Sequence, residues 1–231
     1  MTVLAFDAST LACSACVMKD GKILSSRYQN TGLTHSQTLL PMIEGVLLDA
    51  KLTIDDIDRI GVTVGPGSFT GIKIAVATAK GLAHKNKTPC APISSLEALA
   101  AGIRFEGTVC AVEDARRNML YNANFRNNIR CTEDRQISAD DLIRETEGNL
   151  LFCGDGTEIA LRAAVGAGKN AVKADPSRAF IRAETVAILA EALPEEKLCP
   201  PETLEPSYLR LPQAERERNE RENNTERTNI K

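Results

Sequence analysis

The sequence predicts an α/β protein built from two similar halves, each a mixed β-sheet flanked by helices. Three observations carry that expectation. Short β-rich runs alternate with amphipathic helical runs along the chain. The order strand, strand, strand, helix, strand, helix occurs twice. Each first strand ends on an aspartate, Asp7 in one half and Asp114 in the other. A single doubly wound sheet whose halves are alike by chance is the competing arrangement.

In the first half, Thr2 to Ala8 is β-rich and ends in the turn signal Asp7-Ala8-Ser9-Thr10. Cys13 to Lys19 and Lys22 to Gln29 follow as strands, joined by the hairpin dipeptide Asp20-Gly21. A helix fits His35 to Ala50. Leu39, Ile43, Val46, Leu47 and Ala50 fall at helical spacing, Leu40, Met42 and Leu48 widen the arc, and Pro41 is expected to limit or bend the first turn. Ile60 to Val64 reads as a buried strand, followed by a glycine-rich segment and a helix from about Gly71 to His84.

The second half repeats the pattern. Thr108 to Glu113, Met119 to Phe125 and Ile129 to Cys131 are strands, and Ser138 opens a helix with Asp140 and Asp141 in its first turn. Leu150 to Cys153 is a strand closed by Gly154-Asp155-Gly156. A helix from Thr157, a strand near Ala171 to Ala174 and an alanine-rich helix from about Arg178 to Leu193 complete it. This order is that of a duplicated actin-like (ASKHA, ribonuclease H-like) fold. The expected division is 1–102, 103–211 and a charged helix or tail over 212–231, where glutamate and arginine alternate.

Composition narrows the function classes. Of 231 residues, 43% are hydrophobic and 26% charged, the balance of a globular protein. A net charge of −3 and 4% aromatics argue against a chain that binds RNA unaided, through a basic groove or stacking platform. The seven scattered cysteines suggest reduced thiols, and no apolar run approaches the ~20 residues that span a bilayer. Met1-Thr2-Val3-Leu4-Ala5-Phe6 has no basic region of a signal peptide, so a cytoplasmic location is expected.

The segment Gly65-Pro66-Gly67-Ser68-Phe69-Thr70-Gly71 joins a strand to a helix, a place where backbone N–H groups can cradle an anion. It lacks the Gly-Lys-Ser/Thr ending of a P-loop, since Lys73 comes two residues after Gly71. For a dinucleotide loop the third glycine is due at Thr70, one residue early. A tight turn that lets a small-residue helix (Ala75, Ala77, Ala79, Gly81, Ala83) pack closely is the better reading. Asp7 and Asp114 stand where actin-like phosphotransferases hold metal and phosphate, yet their loops contain no glycine and Arg116 would fill the phosphate entry. Only Gly154 and Gly156 keep the backbone bare. Cys13-x-x-Cys16 has no second pair to complete a metal site, and on a strand the two thiols face opposite ways. Neither His35 nor His84 has the spacing of a catalytic base. The wide apolar arc of the helix from His35 serves either a partner or its own core.

Taken in order, Asp7-Ala8-Ser9-Thr10, Thr34-His35-Ser36, Leu39-Leu40-Pro41-Met42-Ile43, Gly65 to Lys73, Asp114-Ala115-Arg116, Gly154-Asp155-Gly156 and Pro206-Ser207-Tyr208-Leu209-Arg210 resemble the TsaB (YeaZ) family over nearly the whole chain. The Gly65–Gly71 block is the specific part. That resemblance implies an actin-like fold and a heterodimer with the catalytic paralogue TsaD, joined by the ATPase TsaE. The complex transfers threonylcarbamoyl from threonylcarbamoyl-AMP to N6 of adenosine 37 in tRNAs reading codons that begin with A. It implies no cofactor on this chain alone, with ATP and a metal used by the complex, tRNA met through the complex, a homodimer when the partner is absent, and no membrane. Ser95 and Leu99 fall where the paralogue's metal-binding histidines belong. A hydroxyl and an aliphatic chain do not replace two imidazoles, so no metal site and no catalytic residue are expected here. The implied partner contacts are His35, Leu39, Ile43, Val46 and Leu47 on one helix and Ile72, Ala75 and Ala79 on the next. An actin-like small-molecule kinase or a glycoprotease-like hydrolase is the alternative function.

Overall fold

A computed structural model describes residues 1–209. Arg210 and the charged stretch expected over 212–231 lie outside the described residues.

The first half forms a five-stranded sheet from β1 (Thr2–Asp7), β2 (Cys13–Lys19), β3 (Lys22–Gln29), β4 (Arg59–Gly65) and β5 (Cys90–Ser94), with helices α1 (His35–Ala50), α2 (Phe69–His84) and α3 (Ser95–Ala100). Its order is β3-β2-β1-β4-β5. The hairpin strands pair antiparallel, and β1, β4 and β5 run parallel. The second half contributes β6 (Thr108–Asp114), β7 (Met119–Arg126), β8 (Ile129–Arg130), β9 (Arg135–Ser138), β10 (Leu150–Cys153) and β11 (Ala171–Lys173), with α4 (Ala139–Glu145), α5 (Thr157–Gly166) and α6 (Ala183–Ala192). Its order β11-β10-β6-β7-β8, with β9 also on β7, reproduces the first sheet strand for strand. The duplication read from the sequence is therefore present as two sheets of one topology, not one continuous doubly wound sheet.

Side-chain alternation on the central strands feeds three apolar layers. Leu4 and Phe6 of β1 point outward beneath α1 and α2, while Val3 and Ala5 point into the space between the sheets. Cys13 and Cys16 divide the same way, and burial pushes their thiols up to about 11 and about 12. The third layer lies under α4 and α5. The middle layer holds α3 and α6, and each packs on the other half's sheet: α3 on β6 and β7, α6 on β1, β2 and β4. Arg59, nearly buried on β4, fastens α6. Its guanidinium donates to the carbonyls of Ala190 (2.6 Å) and Leu193 (2.9 Å) and to the Glu195 carboxylate (2.6 Å). A cation placed on the last carbonyls of a helix satisfies its unpaired acceptors and its dipole together.

Some boundaries differ from expectation. Helix α1 runs through Pro41, which sits on the exposed face, away from the packed core, and lacks the N–H that would bond one turn back. Helix α2 starts two residues before Gly71, with Ser68 as N-cap accepting from the Gly71 N–H at 3.3 Å. The helix expected from about Arg178 begins only at Ala183: Arg178 closes a short 3₁₀ turn (Pro176–Arg178), and a non-helical link leads to α6. There the Ile181 carbonyl is drawn down to accept from the Ser14 hydroxyl at 3.2 Å.

Candidate functional site

The carboxyl ends of β1 and β6 meet at a cleft of about 630 Å³ between the halves. Four loops and one helix end contribute to it: the turn after β1 (Ser9, Thr10, Leu11), the link between β3 and α1 (Asn30, Gly32 to Thr34), the turn into α2 (Pro66 to Phe69), the end of β6 (Glu113 to Arg116) and His35 at the start of α1. The segment Ser207 to Leu209 closes one side, held by the Ser207 N–H donating to the Val64 carbonyl at 2.7 Å. The Phe69 and Tyr208 rings lie 4.8 Å apart at the rim, with the Lys73 ammonium 3.9 Å from the Phe69 ring centre.

Asp7 is fully buried. Its Oδ1 accepts from the Ser9 N–H (3.0 Å), the Ser9 hydroxyl (2.6 Å) and the Thr63 hydroxyl (2.6 Å), whereas Oδ2 has no partner. Burial raises its pKa against those hydrogen bonds. Asp114 is turned into its own loop. It accepts from the Arg116 N–H at 2.7 Å and pairs with the exposed Arg116 guanidinium at 3.3 Å. Arg116, Arg117 and Asn118 all hold left-handed φ (66°, 56° and 60°), which folds this loop back on itself. The Asp114 N–H in turn donates to Asp155 at 2.9 Å.

The structure thus brings Asp114 and Arg116 to the cleft wall and leaves Asp7 just beneath it. It revises the reading of the two glycines as points of nucleotide approach. A Cβ on Gly154 would stand 2.1 Å from the Val112 carbonyl, and one on Gly156 would meet Leu120 at 2.8 Å, so both are bare because the chain packs against them. Gly71 has the same explanation: a Cβ there would lie 1.9 Å from the Ala8 carbonyl oxygen. Gly65, Gly67 and Gly71 each leave no room for a Cβ, so the segment Gly65–Gly71 is a close-packed turn.

The proposed partner contacts need correction as well. Leu39, Ile43, Val46, Ile72, Ala75 and Ala79 are all buried in the outer apolar layer of the first half, Leu47 packs against that layer, and His35 turns toward the cleft. The wide arc of α1 splits into an inward set and an outward row. Leu40, Glu44 and Leu48 form that row, with Leu40 46% and Leu48 77% exposed. On α2 the matching outward positions are Lys73, Ala77 and Gly81.

Sequence reasoning missed Glu113. It follows Val109 and Ala111 on the same face of β6, so its side chain points into the layer between the sheets, and it is 2% exposed. A charged residue at an inward position of an apolar strand was the available signal. Both Glu113 carboxylate oxygens lack hydrogen-bond partners. Burial, then the charges of Asp155 and Asp7, hold its pKa well above the usual carboxylate range. The Ser95 hydroxyl lies near enough to ease the charged form but donates to the Pro66 carbonyl. Ser95 and Leu99, the positions aligned with the paralogue's histidines, are buried, and the described residues contain no cluster of three or more acidic, histidine or cysteine side chains suited to a metal.

Two like halves around a cleft at the carboxyl ends of their first strands define an actin-like, ASKHA-type protein. Comparison with solved structures agrees. YeaZ from Pseudomonas aeruginosa superposes with a TM-score of 0.77 at 27% identity, covering 90% of this chain and 99% of that one. The ethanolamine utilization protein EutJ from Carboxydothermus hydrogenoformans shares the fold at a TM-score of 0.52 and 10% identity, over 82% of this chain and 90% of that one. The model of the family TsaD, tRNA N6-adenosine threonylcarbamoyltransferase, matches residues 29–217. The tRNA threonylcarbamoyladenosine biosynthesis protein TsaB of Bacillus subtilis is 30% identical over 167 residues, 69% of this chain and 73% of that one. TsaB of Escherichia coli is 34% identical over 129 residues, 54% of this chain and 55% of that one. The chain belongs to the TsaB (YeaZ) family of tRNA threonylcarbamoyladenosine biosynthesis proteins.

Proposed function

We propose that this chain is the non-catalytic partner subunit that binds TsaD, together with TsaE, in the transfer of threonylcarbamoyl from threonylcarbamoyl-AMP to N6 of adenosine 37 of tRNAs reading codons that begin with A. One observation carries the reading: the phosphate-facing loops of the actin-like cleft are closed by the chain itself. Asp114 is held by Arg116, Asp7 lies beneath the wall, and the Val112 carbonyl fills the space beside Gly154. Chemistry that uses ATP and a metal then falls to the partners, and tRNA is met through the complex.

The surface this reading assigns to TsaD is the outward row Leu40, Glu44 and Leu48 of α1 beside Lys73, Ala77 and Gly81 of α2. Two leucines supply apolar area, and the small residues let a partner helix approach closely. In the absence of TsaD the same face pairs two copies of this chain. The test is reconstitution with the cognate TsaD, TsaE, tRNA and threonylcarbamoyl-AMP, omitting each in turn. Modification should require this chain, and Leu40→Arg with Leu48→Arg should abolish co-purification with TsaD while the melting curve is kept. Undiminished modification without the chain refutes the reading, as does micromolar Mg·ATP affinity of the isolated chain, which would restore a kinase.

A further inference from the structure

Four buried polar atoms without a hydrogen-bond partner belong to residues that line the cleft. They are the two carboxylate oxygens of Glu113, Nδ1 of His35 and the Thr10 hydroxyl oxygen. His35 Nε2 lies 2.7 Å from the Thr10 carbonyl, which only accepts, so Nε2 carries the hydrogen and Nδ1 is left as an acceptor. Buried polar groups in folded proteins are nearly always paired. Several acceptors orphaned in one cavity call for a donor-rich occupant.

No described cation of the chain supplies it: the Arg116 guanidinium faces Asp114, and the Lys73 ammonium lies over the Phe69 ring. The acceptors are not gathered into a set suited to a metal. A carboxylate with both oxygens free matches the two parallel N–H groups of a guanidinium, and aromatic rings such as the Phe69–Tyr208 pair at the rim suit its flat face. We propose that this cleft binds a guanidinium group, which donates two hydrogen bonds to Glu113. The group belongs either to a free guanidino compound or to an arginine side chain of a bound protein. The inference does not depend on the partner-subunit reading, and the two fail separately.

Calorimetry of the full chain at pH 8 with methylguanidinium tests it, with n-propylammonium for comparison. Methylguanidinium should bind saturably, and Glu113→Gln should weaken it at least about tenfold, as expected for loss of a charge-assisted bidentate pair. Tyr208→Ala, at the exposed rim, should weaken it by a smaller factor, and this variant decides the matter should Glu113→Gln not fold. Repeating the titration with TsaD present separates the sources. Competition assigns the guanidinium to the bound protein, and unchanged affinity assigns it to a free ligand. Absence of saturable binding, binding indifferent to both substitutions, or equal affinity for n-propylammonium overturns the proposal.

Discussion

Helix α2 carries two glycines for which the structure predicts opposite outcomes on substitution by alanine. At Gly71, the third residue of the helix, the new methyl would stand 1.9 Å from the Ala8 carbonyl oxygen and 3.1 Å from the His35 ring. The obstacle is backbone, in the turn that closes β1, so a side-chain rotation does not relieve it. The Ser68 N–H also donates to the Ser9 carbonyl at 2.6 Å, which ties the two turns together and resists their separation. Overpacking costs about 1–3 kcal/mol where neighbours can shift, and a rigid backbone contact puts Gly71→Ala at about 3 kcal/mol. At Gly81 nothing lies within 4 Å of the new methyl and the helix is exposed, so alanine should stabilise by about 0.5–1 kcal/mol through its lower backbone entropy cost. Urea unfolding followed by far-ultraviolet circular dichroism measures both. With a slope of about 3 kcal/mol per molar, the midpoint should fall by about 1 M for Gly71→Ala and rise by about 0.2–0.3 M for Gly81→Ala. A Gly71→Ala midpoint equal to or above the parent's would show that the two turns do not touch as described.

Three further outcomes follow from the buried charges and the first-half core. Arg59→Met strands the carbonyls at the end of α6 and should cost about 3 kcal/mol in the same assay, whereas Glu195→Ala, whose side chain is 83% exposed, should cost under about 1 kcal/mol. Equal losses would mean that the ion pair, not the helix end, is what Arg59 serves. Glu113 keeps its proton more tightly folded than unfolded, so its contribution is most favourable at low pH. It is lost as pH rises from the ordinary carboxyl range through the raised value, by about 1.4 kcal/mol for every pH unit crossed between the two. Thermal melts from pH 4 to 8 should therefore show Glu113→Gln gaining on the parent as pH rises. A residual slope from Asp7 and Asp155, both raised like Glu113, should persist. Ile43→Arg, which buries a charge under α1, should abolish cooperative unfolding, in contrast to the outward Leu40→Arg.

The repeated element order was legible because β1, β2, β6 and β10 are short apolar runs bounded by turns, and α1 shows helical spacing over four turns. What sequence reasoning did not separate was the direction in which an apolar arc faces. Leu39 and Leu40 are adjacent and equally hydrophobic, and only the packed sheet decides that one is 1% and the other 46% exposed. Elements β5, α3 and β9 left little signal, since five-, six- and four-residue segments are too short for periodicity and Pro92 sits within β5. The cleft was foreseeable from Asp7 and Asp114, but its acceptor surface was not. That surface arises where β6 delivers Glu113 between two sheets far apart in sequence.

The exchange of α3 and α6 between the sheets has a consequence for how the chain is made. The inner face of the first sheet is complete in sequence at Ser94, yet the helix that covers it begins at Ala183. At about 5–20 residues per second, a ribosome needs on the order of ten seconds to bridge that interval. Throughout it the nascent chain presents Val3, Ala5, Cys16, Met18 and Ile93 without their cover. The last α-helix among the described residues is thus the one that shelters the first strand, so the middle layer closes only once nearly all the described chain has been made.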